Sequence, residues 1–259
     1  MTDNSETTSF GYEDIPASEK ETRVRGVFDS VASQYDVMND LMSAGVHRLW
    51  KHDTISKLNP RPGEHLLDVA GGTGDLAKAF LDRADRAGRR GNSGDGAKAT
   101  ICDINAKMLD AGRARADMQA LGERVNWVCG NAEMLPFPDR SFDAITIALG
   151  IRNVTHRDKA LAEFRRVLKP AGRLAVLEFS QMTAPLLQQA YDAYSFAVIP
   201  RMGRLVTGDE ASYQYLVESI RRFPDQDMFK AEIEAAGFKN VSVTNFTGGV
   251  AALHFGWAV

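Results

Sequence analysis

The chain has 259 residues, of which 44% are hydrophobic and 25% are charged, a composition typical of a folded globular protein and not of a disordered or fibrous one. Its 31 Lys and Arg against 34 Asp and Glu give a formal net charge of −3, so we expect no nucleic-acid partner. No apolar stretch approaches the roughly 18 residues that span a bilayer, and the polar N-terminus lacks the apolar core of a signal peptide, which predicts a cytoplasmic protein. With two cysteines, Cys102 and Cys129, we expect neither a disulfide framework nor a metal site.

The N-terminal quarter predicts a tail followed by two helices. Residues 1–20 are polar and acidic, which predicts a disordered tail. Apolar residues recur at spacings of three and four from Val24 to Met38 and again from Val46 to Leu58. This pattern predicts that residues 21–62 form helices that cover the rest of the fold. The Asn59–Gly63 segment contains two prolines and a glycine, which end the second helix.

From residue 65 onward, predicted strands and helices alternate. The strands are His65–Ala70, Ala99–Ile104, Val125–Gly130, Phe142–Leu149 and Arg173–Phe179, and the helices between them are Asp75–Ala84, Ala106–Met118 and Asp158–Lys169. The Gly- and Arg-rich stretch Arg86–Lys98 predicts an exposed loop insertion, and residues 181–224 predict a largely helical addition. A terminal hairpin pairs Lys239–Phe246 with Val250–Val259.

This alternation predicts an α/β fold. We expect a doubly wound, mostly parallel seven-stranded sheet with an antiparallel C-terminal edge strand. The helical segments 21–62 and 181–224 are additions to that core.

A glycine-rich turn follows the first strand of the alternation. Gly71, Gly72 and Gly74 allow a sharp turn and a close approach of the backbone to a ligand, at the strand ends where open α/β sheets bind ligands. Gly72 and Gly74 also match a dinucleotide fingerprint. The turn by itself therefore leaves open a nicotinamide cofactor, another nucleoside ligand or a packing turn without a ligand.

Polar residues at three strand ends narrow the choice. Asp103 can accept both ribose hydroxyls, the Asn131–Glu133 segment can contact an adenine edge, and Asp68 can pair with an ammonium group. A ligand that carries an amino acid at one end and adenosine at the other is S-adenosylmethionine. Asp75 at the start of the next helix would repel a diphosphate, although it would equally stabilise the helix dipole.

In this order the motifs resemble the class I S-adenosylmethionine-dependent methyltransferases, which have a Rossmann-like fold. The segments Val27–Ala32, Tyr35–Ser43 and Gly45–Lys51 are similar to the N-terminal signature of the ubiquinone/menaquinone biosynthesis C-methyltransferase family. Further matching motifs are Asn131–Glu133, Leu135–Pro138, Gly150–Val154, Leu177–Ser180, Tyr213–Ile220 and Gly248–Ala251. The resemblance covers about residues 20 to 259 and implies a single methyltransferase domain over 21–259.

The resemblance implies methyl transfer from S-adenosylmethionine to a ring carbon of a polyprenyl quinol, either a 2-methoxy-6-polyprenyl-benzoquinol or a demethylmenaquinol. By position it assigns cofactor contacts to Thr73, Asp103, Asn131 and Ala132. The residue-based reasoning adds Asp68, Gly72 and Gly74. Many members of the family have a serine where this chain has Ala148, so we expect one missing hydroxyl contact and a modest change in cofactor affinity.

Three residues are candidates for the chemistry, because methylation of a quinol carbon requires a ring hydroxyl to lose its proton. Arg152 can stabilise the developing phenolate, Asn153 can orient a hydroxyl or a water, and Tyr35 can close over the site. Their alternatives are a surface ion pair for Arg152 and core packing for Tyr35. The base is left open between a water held by Asn153, Tyr35 and a carboxylate.

The 181–224 segment also suggests where a lipophilic substrate would bind. Its apolar residues suit a channel for an isoprenoid tail or an ordinary covering helix. Arg201, Arg204, Arg221 and Arg222 suit peripheral contact with lipid headgroups or a solvated charged face. The partners left open are a second copy of the chain in a homodimer and a quinone-biosynthesis complex. The alternative functions are methyl transfer to another lipophilic acceptor and a non-enzymatic scaffold of such a complex.

Overall fold

The computed structural model describes residues 6–31, 40, 43, 45–91, 96–183, 201 and 209–259. Within them the chain forms a seven-stranded sheet, a separate two-stranded sheet and helices. The strands are β1 (Thr7–Phe10), β2 (Glu13–Pro16), β3 (His65–Val69), β4 (Lys98–Asp103), β5 (Val125–Cys129), β6 (Phe142–Ala148), β7 (Leu168–Phe179), β8 (Phe238–Phe246) and β9 (Ala251–Ala258). The helices are α1 (Ala17–Val31), α2 (His47–Leu58), α3 (Asp75–Gly91), α4 (Ala106–Ala114), α5 (Ala116–Gln119), α6 (Arg157–Val167), α7 (Glu210–Arg222) and α8 (Gln226–Ala235).

The large sheet has the strand order β5-β4-β3-β6-β7-β9-β8. Strand β3 pairs in parallel with both β4 and β6, so the winding direction of the chain reverses between β3 and β6. Open α/β sheets bind ligands outside the carboxyl ends of their strands at such a reversal. The topology therefore places the expected ligand site beside Val69 and Ala148, the last residues of these two strands.

The predicted mostly parallel seven-stranded sheet, with antiparallel pairing at its C-terminal side, is confirmed. The structure also shows which strand of the C-terminal hairpin runs antiparallel to the rest of the sheet. Strand β9 runs antiparallel to β7 on one side and to β8 on the other, so β8 lies at the edge and β9 lies one strand in. The Thr247–Gly249 turn that joins the hairpin is a short 3-10 turn with Gly248 at a φ of 67°.

Both faces of the sheet are covered, and successive residues of β3 show this directly. Leu66 packs in the cluster formed with α2 and α3, whereas Leu67 packs in the cluster on the opposite face with α6 and α8. A third cluster joins α1, α2 and α7 around Trp50 and Phe179, at the carboxyl end of β7. None of the described helices is long and apolar enough to cross a membrane.

The expectation of a disordered tail over residues 1–20 is wrong for the part that the structure describes. Strands β1 and β2 form a hairpin, with Gly11 in its turn at a φ of 58°, and α1 begins directly after it. Phe10 stacks on Tyr215 of α7 with ring centres 4.2 Å apart. The Tyr12 backbone N–H donates to Glu218 Oε2 at 3.0 Å. The hairpin is ordered by a helix about 200 residues away, which local composition does not reveal.

Helix α3 also differs from its predicted extent. It continues past Ala84 to Gly91, so the segment beginning at Arg86 is helical at its start and not wholly a loop. Buried Ala84 and Gly88 continue the inward face of this helix, and such small residues give a weak hydrophobic pattern. Residues 92–95 lie outside the described residues, as does most of the predicted 181–224 addition, of which α7 is described.

Candidate cofactor cleft and active site

A cleft lies at the carboxyl ends of β3, β4, β5 and β6, where the topology places the ligand site. It encloses about 880 Å³ of space not filled by protein atoms, including the part open to solvent. Residues of the loops after these four strands form its floor, and one side of α1 forms its roof. The floor residues predicted from the sequence are Gly72, Asp103, Asn131, Ala132 and Asn153.

The glycine turn after β3 serves two different purposes. Gly72 has a φ of 53° and lines the cleft, and its backbone N–H donates to Asp103 Oδ2 at 2.9 Å. Gly74 has a φ of 88° and faces the interior, where an added Cβ would lie 2.6 Å from Met118 Cε. Thr73 and Gly74 do not line the described cleft. The Thr73 carbonyl and hydroxyl oxygens both accept hydrogen bonds from Arg115 Nη1, at 3.3 and 3.2 Å.

Asp103 is held rigidly at the end of β4. Its Oδ2 accepts from the Gly72 N–H, and its Oδ1 accepts from the Asn105 N–H at 2.8 Å. Burial raises the pKa of this carboxyl, and the backbone donors oppose the rise. The carboxylate is therefore oriented before any ligand arrives, as a group that accepts ribose hydroxyls must be.

Asn131 is engaged at both ends of its side-chain amide. Its Oδ1 accepts from the Glu133 N–H at 2.8 Å, and its Nδ2 donates to Glu21 Oε2 of α1 at 3.0 Å. Glu133 Oε1 in turn accepts from the N–H groups of Thr155 and His156, both at 3.0 Å. The side chain of Asn131 thus shapes the loop and binds α1, which leaves backbone groups and Ala132 to face a base in the cleft.

Asp68 lies beneath the cleft and does not line it. Its side chain is buried, Oδ1 accepts from Thr146 Oγ1 at 2.7 Å, and Oδ2 has no hydrogen-bond partner among the described residues. Burial raises the pKa of Asp68 to about 7, although Thr146 and the Lys51 ammonium oppose the rise. An added Cβ at Gly71 would lie 2.9 Å from Oδ2, so only glycine fits between the turn and this buried carboxyl. Asp68 is a buried acid whose ionised form an approaching cation would favour.

Asp75 at the start of α3 is not an isolated negative charge. Its Oδ2 accepts from Lys51 Nζ at 3.0 Å, and its Oδ1 accepts from Arg115 Nη1. Burial alone would raise the pKa of Asp75, but the two cations outweigh it and lower the pKa to about 2. The carboxylate is ionised but neutralised by its neighbours, so its expected repulsion of a diphosphate is weaker than the sequence indicated.

Arg152 does not line the described cleft, which differs from the expectation that it faces a phenolate. Its Nη1 forms a buried ion pair with Glu178 Oε1 at 2.8 Å and also donates to the Leu149 carbonyl oxygen. Its Nε donates to Ser219 Oγ of α7 at 3.4 Å. Glu178 belongs to β7, the strand next to β6. Its carboxylate binds the guanidinium in the interior, so the guanidinium does not reach the cleft. Arg152 therefore ties the loop after β6 to β7 and α7.

Asn153 lies where the sequence places it. It ends the 3-10 turn Ile151–Asn153 after β6 and lines the cleft. Its Oδ1 accepts from the Tyr215 hydroxyl at 2.9 Å. Ala148, at the end of β6, packs in two of the hydrophobic clusters and not in the cleft lining. Tyr35 lies outside the described residues.

Helix α1 supplies cleft residues that the sequence reasoning missed. Glu21, Val24, Arg25 and Phe28 line the cleft from above, and Asp29 Oδ1 accepts from Asn105 Nδ2 at 2.8 Å. The stripe from Val24 onward predicted a helix, but its partner surface was not visible in the sequence. The apolar stripe of this helix was the one sequence feature that could have indicated it, because Val24 and Phe28 belong to the stripe and line the cleft.

Solved structures establish the class of fold. The described chain matches a possible histamine N-methyltransferase from Thermotoga maritima with a TM-score of 0.61 and 17% identity, over 90% of this chain and 99% of that one. It matches an S-adenosylmethionine-dependent methyltransferase from Aquifex aeolicus with a TM-score of 0.55 and 17% identity, over 81% and 89%. The fold is that of the class I S-adenosylmethionine-dependent methyltransferases.

Sequence comparison gives the particular family. The model of the ubiE/COQ5 methyltransferase family matches residues 17–258, and the chain belongs to this family. A protein of Roseobacter denitrificans named ubiquinone/menaquinone biosynthesis C-methyltransferase UbiE is 55% identical over 258 residues, 99% of each chain. A protein of the same name from Caulobacter vibrioides is 56% identical over 252 residues, 97% of this chain and 98% of that one.

Proposed function

We propose that this protein transfers a methyl group from S-adenosylmethionine to a ring carbon of a polyprenyl quinol in ubiquinone or menaquinone biosynthesis. The observation that carries the proposal is identity of about 55% along almost the whole length of relatives named for that reaction. The cleft at the reversal between β3 and β6 supports it, because four of the seven residues assigned to the cofactor, Gly72, Asp103, Asn131 and Ala132, line it together with Asn153. The ring type and the tail length are left to experiment.

The described residues fit the proposed cofactor in charge and in shape. Asp103 offers a fixed carboxylate for the ribose hydroxyls, and Gly130, Asn131 and Ala132 offer a loop for the adenine. Asp68, buried below the turn, is a carboxyl whose ionised form a ligand with an ammonium and a sulfonium group would favour. These residues would hold the cofactor, which when bound supplies a methyl group activated by the positive sulfur.

The chain's own contribution to the reaction is binding and orientation. The cleft would hold the acceptor ring beside the activated methyl group, and such positioning removes much of the entropic barrier to methyl transfer. Asn153 donates from its amide to the quinol oxygen whose proton is lost, and so stabilises the phenolate that makes the ring carbon nucleophilic. A side-chain amide does not take the proton, so it passes to water through the open side of the cleft or to a carboxylate that lines it. Arg152 acts at a distance, by holding the loop that carries Asn153.

The direct test is lipid analysis of a strain that lacks the protein. We expect a demethylated ubiquinone or menaquinone precursor to accumulate, and its identity names the substrate. The purified chain should also methylate a soluble quinol analogue with S-adenosylmethionine as donor. Tight binding of a nicotinamide dinucleotide without binding of S-adenosylmethionine would overturn the proposal. Cofactor binding with no turnover and no accumulated precursor would favour a scaffold.

We also propose that the protein is cytoplasmic and makes reversible, peripheral contact with the membrane that holds its substrate. Support comes from the water-insoluble tail of the substrate and from Arg221 and Arg222 near the end of α7. Arg222 is partly engaged, because it donates to the Tyr12 carbonyl oxygen at 3.0 Å. Co-sedimentation with vesicles that contain anionic lipid and a quinol analogue tests this contact, and no sedimentation would contradict it.

Sedimentation velocity distinguishes a monomer from the homodimer, and affinity purification from membranes tests for a quinone-biosynthesis complex.

A further inference from the structure

The side chain of Asn153 presents one of two opposite groups to the cleft. Its Oδ1 accepts hydrogen bonds and its Nδ2 donates them, so a rotation of the amide by half a turn reverses what the cleft offers. A donor stabilises a phenolate oxygen, whereas an acceptor oxygen beside a phenolate repels it. Which end faces the acceptor therefore decides whether Asn153 assists the reaction.

Tyr215 of α7 decides this orientation in the structure. Its hydroxyl donates to Asn153 Oδ1 at 2.9 Å, and Asn153 Nδ2 has no partner among the described residues. The tyrosine side chain is largely buried, and its burial raises the pKa of the phenol above the usual value for tyrosine. The hydroxyl keeps its proton at neutral pH, and Asn153 Oδ1 is its only acceptor among the described residues. The opposite amide orientation would turn Nδ2 toward the hydroxyl and leave a buried phenol proton without an acceptor, so Oδ1 faces Tyr215 and Nδ2 is left for the cleft.

Tyr215 is itself held on two sides. Phe10 of the β1–β2 hairpin stacks on its ring with centres 4.2 Å apart and an interplanar angle of 22°. Ser219, one turn further along α7, accepts from Arg152 Nε at 3.4 Å. Since Arg152 belongs to the same turn as Asn153, both partners of the Tyr215–Asn153 hydrogen bond are tied together independently.

We propose that Tyr215 is a positioning residue that orients Asn153, so that Nδ2 faces the cleft and selects acceptors that present an anionic oxygen beside the methylated carbon. This inference rests on the proposed function, because it assigns the acceptor class to the same cleft. It gives the stacking of Phe10 on Tyr215 a role in supporting the Tyr215–Asn153 hydrogen bond. The residue does not contact the reacting atoms and acts only through Asn153.

The first test is Tyr215→Phe, which keeps the ring and its stacking on Phe10 and removes only the hydroxyl. With a soluble quinol analogue we expect kcat to fall by about five- to tenfold, the size of one lost neutral hydrogen bond. The dissociation constant for S-adenosylmethionine should stay within about twofold. The acid limb of the kcat profile should move to higher pH, because the bound phenolate loses an ordered donor. Tyr12→Phe, an exposed hairpin variant, should leave all three quantities unchanged.

A double-mutant cycle separates positioning from a general loss of structure. In an Asn153→Ala background, Tyr215→Phe should cause no further loss of kcat. Asn153→Asp keeps an acceptor for the Tyr215 hydroxyl but offers the cleft a negative charge and no donor, so it should be at least as impaired as Asn153→Ala. An equal loss from Tyr215→Phe in both backgrounds would overturn the positioning role.

The Asn153 side-chain amide also gives a readout that does not depend on turnover. In protein labelled with nitrogen-15, we expect one sharp pair of amide proton resonances for the wild type, and broadened or doubled resonances for Tyr215→Phe. Unchanged resonances would overturn the positioning role whether or not methyl transfer is detected. Absence of methyl transfer by the wild type with every quinol tested, together with the expected resonance change, would overturn the proposed function alone.

Discussion

Arg152 and Glu178 form an ion pair at 2.8 Å in which the side chains are only 2% and 1% exposed to solvent. Glu178 also accepts the N–H groups of Arg152 and Phe179, at 3.2 and 2.9 Å. The carboxylate of β7 thus fixes the start of the turn that carries Asn153. A residue expected to touch the substrate is instead part of the support beneath the site.

This pair predicts a strong effect on stability when one charge is removed. Arg152→Met should lower the free energy of unfolding by about 3–5 kcal/mol, because it leaves the Glu178 carboxylate buried without a counter-charge. The double variant Arg152→Met/Glu178→Gln should be more stable than Arg152→Met, since no unpaired charge remains. Urea unfolding at neutral pH measures both. A loss below about 1 kcal/mol for Arg152→Met, or a double variant less stable than the single one, would contradict the assignment.

Asp68 predicts a specific dependence of stability on pH. Its pKa is about 7 in the folded chain against 3.8 for the ordinary side chain, so the folded state binds more protons than the unfolded state between these values. The contribution of Asp68 to stability is therefore fully present below about pH 4 and is lost as the pH rises to about 7. The difference is of the order of 4 kcal/mol, at about 1.4 kcal/mol for each pKa unit.

The measurement is urea unfolding of the wild type and Asp68→Asn at several pH values from about 4 to about 8. The stability of the wild type relative to the variant should fall as pH rises, because the variant has no carboxyl to ionise. Parallel curves for the two proteins would show that Asp68 does not titrate in this window. A cationic ligand that pairs with the carboxylate should reduce the fall.

The contact between Glu21 and Asn131 predicts a role for α1 in retaining the cofactor. Glu21→Ala removes the 3.0 Å hydrogen bond from Asn131 Nδ2, so we expect S-adenosylmethionine to bind about two- to tenfold more weakly, mainly through faster dissociation. Calorimetry and stopped-flow displacement measure the two quantities. Glu19→Ala is the matched control, since Glu19 lies on the same helix, pairs with Arg23 and does not line the cleft. Equal effects of the two variants would exclude a specific contribution of the Glu21 contact.

The N-terminal hairpin predicts that a buried residue within the first twenty positions matters for stability. Ile15 is 1% exposed, so Ile15→Ala should lower the free energy of unfolding by about 2–5 kcal/mol. Asp14→Ala, at a neighbouring exposed position, should have little effect. Thermal unfolding together with limited trypsin digestion of α1 measures the change. A neutral Ile15→Ala would instead support the disordered tail that composition indicates.

Several features of the fold and the cleft follow from the sequence alone. The strand from His65 and the helix from Ala106, capped by Asn105, lie where the local hydrophobic pattern and the capping residue place them. Gly72 and Asp103 could be assigned to one cleft because the carboxyl ends of parallel strands meet at one edge of the sheet. Such inferences succeed because they depend on neighbouring residues and on a general rule of topology.

Other features were decided only by tertiary contacts. The Arg152 side chain does not face the cleft because it forms a buried ion pair with Glu178 of the neighbouring strand β7. The first strands became ordered because Phe10 meets Tyr215, and the orientation of Asn153 depends on the same tyrosine. The sequence by itself determined the sheet, the glycine turn and the family of this protein. The tertiary structure decided which polar residues face the ligand and which support them, because pairing of side chains far apart in the chain depends on how the elements pack.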